Sequence, residues 1–165
     1  MAEVRSPEPI GPILIASNGQ SLVALDFGMP EERFAVLLRR RFGAVALTQA
    51  ADPQGFASAI QAYFDGAVTA LDGLPTDGGG TEFQRLVWAA LRTIPPGTTR
   101  SYGQIAAQIG RPSACRAVGA ANGSNPISLA VPCHRVIGTN GSMTGYGGGL
   151  VRKEWLLAHE KATRA

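Results

Sequence analysis

A stretch rich in glycine and proline near the middle of the chain limits how it can fold. Asp72-Gly73, Pro75 and Asp77-Gly78-Gly79-Gly80 place turn-forming residues so densely that no helix or strand is expected to run through them. A chain of 165 residues is long enough for one domain or two small ones. The stretch therefore predicts two units, residues 1–78 and 79–165.

The N-terminal unit has the pattern of a small α/β domain. Apolar segments on either side of Ser17-Asn18-Gly19, at residues 13–16 and 22–27, predict a β-hairpin. Two stretches with apolar residues at helical spacing follow, namely Phe34, Leu37, Leu38 and Phe42, then Phe56, Ile60, Tyr63 and Phe64. A third strand is expected between them, near residues 44–48.

The C-terminal unit predicts mostly helices. Thr81-x-x-Gln84 is a capping box, and the helix that it begins should stop at Pro95-Pro96-Gly97. Ser101-x-x-Gln104 begins a second helix, and a third should span about 113–121 after the break at Gly110-Arg111-Pro112. Two short helices joined by a short turn predict a helix-turn-helix. A terminal helix is expected over about 152–161.

The second helix of this motif has an unusual outward face. Helical spacing predicts that Ala114, Ala117, Val118 and Ala121 face the core, which leaves Arg116, Gly119, Ala120 and Gly123 outside. A major-groove reader needs several polar side chains on this face. A bare helix can instead approach the minor groove closely, with Arg116 entering the base stack. The alternative is tight packing on another helix, with Arg116 solvated.

Charge is divided unevenly between the two halves. Residues 1–80 carry five basic and nine acidic side chains, whereas the rest carries ten basic and three acidic ones. A basic half suits contact with phosphate, although merely soluble domains share this feature. The N-terminus has no signal-peptide or membrane-spanning pattern, so we expect a cytoplasmic protein without a membrane partner. The two Cys and two His lack metal-ligand spacing, so no metal is expected.

The most reactive segment is Pro132-Cys133-His134-Arg135-Val136, which follows the apolar, strand-like run 127–131. A thiol attacks as thiolate, and nearby His or Arg can lower its pKa. The alternative is a buried small residue beside a satisfied histidine. Adjacent strand residues point to opposite faces, so coupling of Cys133 to His134 requires a turn, with or without a bridging water.

Two later features could complete a site. Residues 144–149 form a glycine-rich loop, Thr144-Gly145-Tyr146-Gly147-Gly148-Gly149, which suits close approach to a ligand. On the terminal helix, Trp155, Leu156 and His159 should face inward, with Glu160 at the edge of that stripe. Glu160 either orients a histidine or is one more surface carboxylate.

Together these motifs resemble the O6-alkylguanine-DNA alkyltransferases. The resemblance is strong from about Thr81 to Glu160 and weaker before it, where Ile10-Gly11-Pro12 and Tyr63-Phe64-Asp65-Gly66 are similar to the family's N-terminal domain. The motifs that carry it are Ser101-Tyr102, Arg116-Ala117-Val118-Gly119, Asn125-Pro126, Pro132-Cys133-His134-Arg135-Val136, Gly145-Tyr146 and Trp155-Leu156-Leu157-Ala158-His159-Glu160. It implies a ribonuclease-H-like α/β domain followed by a mostly α domain with a winged-helix type of helix-turn-helix.

The resemblance also implies a reaction and a role for each matching residue. Cys133 accepts an alkyl group from O6 of guanine after the base flips into the site, irreversibly and once per molecule. His134, held by Glu160, takes the thiol proton through a water; Tyr102 turns the target phosphate and hydrogen-bonds guanine; Asn125 is a hinge. DNA contacts are implied for Arg116, Tyr102, Ala117, Gly119, Ala120, Gly123 and Arg135, and an alkyl pocket for Tyr146, Gly147, Gly148, Pro132 and Val136.

The implied partner is double-stranded DNA carrying O6-alkylguanine, with no cofactor. We expect a monomer; clustering along DNA and acceptance of O4-alkylthymine stay open. Gly147 stands where some relatives carry serine, and Cys115 replaces a small residue. Two other functions remain as alternatives: a non-catalytic sensor of damaged DNA, whose known examples lack the acceptor cysteine, and a plain helix-turn-helix regulator, which the bare helix face disfavours.

Overall fold

The computed structural model describes residues 1–143 and 145–164. Thr144, which begins the predicted glycine-rich loop, and Ala165 lie outside the described residues. In the N-terminal half, strands β1 (Ala2–Val4), β2 (Ile13–Ser17) and β3 (Leu22–Phe27) form an antiparallel sheet in the order β1-β2-β3. The hairpin of β2 and β3 confirms the prediction from the turn signal.

Two helices cover the two faces of this sheet. Helix α1 (Glu31–Phe42) packs through Phe34 and Leu38 against one face of β2 and β3. Helix α2 (Phe56–Phe64), which follows a 3₁₀ turn at Pro53–Gly55, lies in the main core with Ile13 and Ile15 of the other face. Because both faces of β2 are covered, its successive residues Ile13–Ala16 are all buried.

The predicted strand at residues 44–48 was wrong. The position beside β2 is occupied by β1, which pairs Ala2 with Ile15 and Val4 with Ile13. Residues 44–48 are irregular and lie along the start of the chain, where the terminal amino group of Met1 donates to the Thr48 carbonyl at 2.9 Å. A three-residue strand from the N-terminus therefore pairs with β2 in place of residues 44–48, although their composition suits a strand.

The C-terminal half is helical, as predicted. It contains α3 (Glu82–Leu91), β4 (Arg100–Ser101), α4 (Tyr102–Gln108), α5 (Cys115–Gly123), β5 (Val136–Ile137) and α6 (Leu150–Arg164), with β4 and β5 paired in parallel. Both predicted capping boxes are present, at Thr81 with Gln84 and at Ser101 with Gln104. None of the helices over residues 1–143 and 145–164 is long and apolar enough to cross a membrane.

The predicted strand-like run at residues 127–131 was also wrong. Only Ile127 forms a bridge, with Leu25 of β3, and the chain then turns. Leu129 is buried with φ of +71°, a left-handed conformation that strains a residue with a side chain. Cys133–Arg135 forms a single 3₁₀ turn. The turn required for coupling Cys133 to His134 is therefore present.

The two halves are joined along the outer edge of β3. The Leu22 N–H donates to the Pro75 carbonyl at 2.9 Å, and the Leu25 N–H donates to the Pro126 carbonyl at 3.0 Å. The connector and the segment that leads to Cys133 are thus both attached to the same strand. The main hydrophobic core contains residues from both halves, among them Ile60, Leu91 and Leu156.

Candidate active site and DNA-binding face

Cys133 lines a small cleft. The cleft has a volume of about 140 Å³, below the usual range of pockets for drug-sized ligands. The cysteine is 5% exposed and its thiol is free. The cleft is lined by Asp26, Tyr102, Gly119, Asn122, Gly123, Asn125, Ser128, Cys133, Gly145, Tyr146 and Gly147. It therefore brings together α4, α5, the reactive segment and the glycine-rich loop.

Asn125 fixes the turn that presents the cysteine. Its side-chain Nδ2–H donates to the Val131 carbonyl at 2.8 Å, and its Oδ1 accepts the Ile127 N–H at 2.9 Å. Both ends of the turn are thus held by one amide directly after α5. Asn125 thus lies between α5 and the reactive segment, at the position where the hinge is predicted.

His134 and Glu160 form a completely buried pair. Nε2 of His134 lies 2.7 Å from Oε1 of Glu160. Although burial opposes ionisation, His134 and Arg135 hold the pKa of Glu160 well below its ordinary value, so Glu160 is a carboxylate that can only accept. The proton of neutral His134 must therefore be on Nε2. Nδ1, which has no partner among residues 1–143 and 145–164, is left as an acceptor.

Arg135 is buried inside the protein, so its predicted contact with DNA is corrected. It is 5% exposed, its Nη2 donates to Oε1 of Glu160 at 2.8 Å, and its Nε donates to Oε2 at 3.0 Å. Its Nη1 donates to the Ile94 carbonyl at 2.7 Å. All the groups that could reach a phosphate are engaged inside the protein, where they hold Glu160 in place.

The resting thiol of Cys133 is neutral. Burial raises its pKa, and Asn125, Tyr146 and Lys153 offset this only in part. Burial likewise lowers the pKa of His134 despite the neighbouring carboxylate. Both groups are therefore uncharged at rest, and the thiolate must form as the proton moves toward His134.

Lys153 is a functional candidate that the sequence interpretation missed. It is 1% exposed, and its Nζ donates to the Val136 carbonyl at 2.6 Å. Its charge favours the thiolate of Cys133. Lys153, Leu156 and Glu160 lie at i, i+3 and i+7 of α6, so this inward face could have been found from the spacing.

The glycine-rich loop forms one wall of the cleft. A side chain at Gly148 would begin 2.5 Å from the ring of Tyr146, so this position must be glycine for the loop to close on the tyrosine. The Gly148 carbonyl accepts Nη1 of Arg152 at 2.9 Å. Tyr146 and Gly147 line the cleft as predicted, whereas Gly148, Pro132 and Val136 do not. Pro132 and Val136 are instead packed inside the protein.

Helix α5 presents the bare face beside the cleft. Arg116, Ala120 and Gly123 are exposed, and Gly119 lies against the ring of Tyr102. Ala117, predicted to face the core, is exposed, because the buried side of α5 is formed by Val118, Ala121 and Asn122. This correction extends the bare surface by one small residue.

The N-terminal half contributes two residues that the sequence interpretation did not place in the site. Asp26 of β3 lines the cleft, and burial raises the pKa of its carboxyl group. The hydroxyl of Tyr63, on α2, donates to Oε1 of Glu160 at 2.8 Å. No pattern in the sequence links Tyr63 to a residue 97 positions away.

Over residues 1–143 and 145–164, no cluster of three His, Cys, Asp or Glu side chains could hold a metal ion.

Comparison with known proteins identifies the family. Residues 7–78 match the sequence model described as 6-O-methylguanine DNA methyltransferase, ribonuclease-like domain. Residues 82–162 match the one described as 6-O-methylguanine DNA methyltransferase, DNA binding domain. The chain belongs to the 6-O-methylguanine DNA methyltransferase family.

Relatives in this methyltransferase family match nearly the whole chain. The methylated-DNA–protein-cysteine methyltransferase of Shigella flexneri is 51% identical, over 97% of this chain and 95% of its own length. A crystal structure of the Mycobacterium tuberculosis O6-methylguanine methyltransferase is 44% identical and superposes with a TM-score of 0.80, covering 98% of this chain and 92% of the other. A structure of M. tuberculosis OGT in complex with DNA is 41% identical and superposes with a TM-score of 0.72. The match covers 99% of this chain and 94% of the other.

These matches bear out the family and the general architecture expected from the sequence. A small sheet and helix domain of ribonuclease-like type precedes a helical DNA-binding domain.

Proposed function

We propose that this methyltransferase repairs double-stranded DNA by moving an alkyl group from O6 of guanine to its own Cys133. The observation that carries the proposal is the buried Cys133, His134 and Glu160 arrangement at a small cleft beside a bare helix. A small cleft suits one extruded base rather than a duplex, in which the O6 atom is inaccessible to a buried thiol.

The first step is approach to DNA through α5. Its exposed surface carries Arg116 followed by Ala117, Ala120 and Gly123, so little side-chain bulk separates the helix backbone from the minor groove. Arg116 enters the space that the extruded base leaves. Gly119 beside Tyr102 opens a path from this face to the cleft, where Tyr102 directs the phosphate and donates to the base.

The second step is the transfer. The thiol proton passes through one water to Nδ1 of His134, and Glu160 stabilises the imidazolium that forms. The thiolate forms a sulfur–carbon bond as the carbon–O6 bond breaks. Guanine leaves as an anion that Tyr102 stabilises by a hydrogen bond. It takes a proton from water, and the imidazolium of His134 returns its extra proton to the solvent, so both groups end neutral. The thioether has no easy reverse reaction, so each molecule acts once.

Helices α4 and α5 form the helix-turn-helix, and the β4–β5 pair beside them supports a winged-helix type. We place the domain boundary between residues 78 and 79, and we propose a monomer that acts in the cytoplasm.

Mass spectrometry of the intact protein tests the proposal. After incubation with an oligonucleotide containing O6-methylguanine, we expect a stoichiometric gain of one methyl group, which peptide mapping locates on Cys133. Cys133→Ser is the matched control and should bind the oligonucleotide without gaining mass. An unchanged mass despite tight binding would favour a damage sensor instead, and a footprint on one undamaged sequence would favour a regulator.

A further inference from the structure

The N-terminal half reaches the catalytic carboxylate through one side chain. Tyr63 of α2 donates its hydroxyl to Oε1 of Glu160 at 2.8 Å, across the interface between the two halves. The inference that follows rests on the proposed function, because it assigns Tyr63 a part in the same proton transfer.

Oε1 of Glu160 receives more hydrogen bonds than it can hold at full strength. It accepts Nε2–H of His134 at 2.7 Å, Nη2–H of Arg135 at 2.8 Å and the Tyr63 hydroxyl at 2.8 Å. A carboxylate has about four lone-pair sites over its two oxygens, or about two for each. Three donors therefore share the electron density of one oxygen, and each one weakens the other two.

Tyr63 is held so that it remains a donor at this position. It is completely buried, and its own carbonyl accepts Nε2–H of His159 at 2.8 Å. The ring of His159 is stacked on Trp155 at 4.9 Å. Burial and the charge of Glu160 raise the pKa of Tyr63 far above its ordinary value, so the hydroxyl keeps its proton throughout the working range.

We propose that Tyr63 is a positioning residue for alkyl transfer, which competes with His134 for Oε1 of Glu160 and thereby limits the basicity of the imidazole. In the resting protein this competition favours a neutral His134, the form that can accept the thiol proton. The N-terminal half thus acts on the proton relay directly, through one hydroxyl, without touching DNA or Cys133.

The other charged groups around His134 do not depend on Tyr63. Arg135 on the same 3₁₀ turn and Lys153 on α6 both disfavour the imidazolium, whereas Glu160 favours it. Cys133 and Tyr146 on the cleft side are neutral at rest, because burial raises the pKa of each. Removal of the Tyr63 hydroxyl leaves all of these groups in place.

Tyr63→Phe tests the inference, because it removes only the hydroxyl and keeps the buried ring. More of the charge on Oε1 then becomes available to His134, so the pKa of His134 should rise by about one pH unit, the size expected for one hydrogen bond to a charged group. NMR titration of the His134 ring in the unalkylated protein measures this shift. The acid limb of the pH profile for methyl transfer should move upward by the same amount.

Phe64→Leu is the matched control. Phe64 neighbours Tyr63 on α2 and packs at the same interface against Trp155, with ring centroids 5.9 Å apart, but it has no group that could hydrogen-bond to Glu160. We expect Phe64→Leu to leave the midpoint of the His134 titration and the midpoint of the acid limb of the pH profile at their wild-type values. The inference is overturned if Tyr63→Phe leaves the midpoint of the His134 ring titration unchanged. It is also overturned if both variants slow methyl transfer by the same factor at every pH.

The ring titration needs no transfer activity, so its outcome is separate from that of the proposed function. If the wild type fails to accept a methyl group from the oligonucleotide, the proposed reaction is wrong, whereas the NMR comparison still decides whether Tyr63 controls His134.

Discussion

Glu160→Gln should destabilise the protein far more than the loss of one surface charge would. In the wild type, the carboxylate is completely buried and accepts from Tyr63, His134 and Arg135, with the Gly97 N–H 3.5 Å from Oε2. Glutamine removes the charge that neutralises the buried guanidinium. It also places an NH₂ group where every neighbour is a donor.

The size of the effect follows from this burial. Breaking a buried ion pair by removing one partner costs about 3–5 kcal/mol, because the remaining charge stays in a poorly solvated position. For a protein of this length, about 1 kcal/mol shifts Tm by roughly 2–4 °C, so Tm should fall by roughly 6–20 °C. Methyl transfer should be lost as well, because the Nε2–H tautomer of His134 is no longer enforced.

Urea unfolding at pH 7, followed by tryptophan fluorescence and checked by thermal melting, measures the change. Glu154→Gln is the matched control, since Glu154 lies on the same helix but is exposed, and its free energy of unfolding should stay within about 0.5 kcal/mol of the wild type. A loss below about 1 kcal/mol for Glu160→Gln would refute the argument that Arg135 depends on this carboxylate.

Three further outcomes are expected. Because folding lowers the pKa of Glu160 from its ordinary 4.5, its contribution to stability is present above that value and lost as pH falls toward the folded pKa; acid titration of unfolding should show this loss in the wild type but not in Glu160→Gln. Arg116→Ala should slow repair of duplex DNA more than reaction with the free base O6-benzylguanine, and equal losses would exclude a role in base extrusion. Ala120→Glu should keep the wild-type Tm while weakening duplex binding at least tenfold in a gel-shift assay, and unchanged binding would place DNA on another face.

Local patterns allowed much of the fold to be predicted. The hairpin was predicted from the turn residues Ser17-Asn18-Gly19. The starts of α3 and α4 were predicted from capping boxes, each of which spans only four residues. The strand at residues 44–48 failed because pairing with β2 was decided by Ala2–Val4, a segment too short to recognise. Strand composition fits any half-buried edge, and only the tertiary fold decides which segment occupies it.

Only part of the candidate site could be predicted from local sequence. The position of Cys133 beside His134 could be read directly, whereas the resemblance to the family implied that Glu160, 26 positions away, holds the histidine. Arg135 was misassigned because a basic residue in a basic half resembles a phosphate ligand until its partner, 25 positions away, is placed beside it. Tyr63 was predicted only as part of the apolar face of a helix, because the spacing of residues within α2 does not show which group its hydroxyl contacts.

The connector between the two halves has the composition of a flexible hinge but is tied down by arginines. Arg41 donates to the Asp77 carbonyl, Arg85 to the Gly80 carbonyl, and Arg92 to the Leu74 carbonyl. Three carbonyl groups of this stretch are therefore held by Arg41 of α1, by Arg85 of α3 and by Arg92 directly after α3. A protease that requires an extended, mobile strand should cut here slowly, and the halves should lose their structure in one cooperative event rather than in sequence.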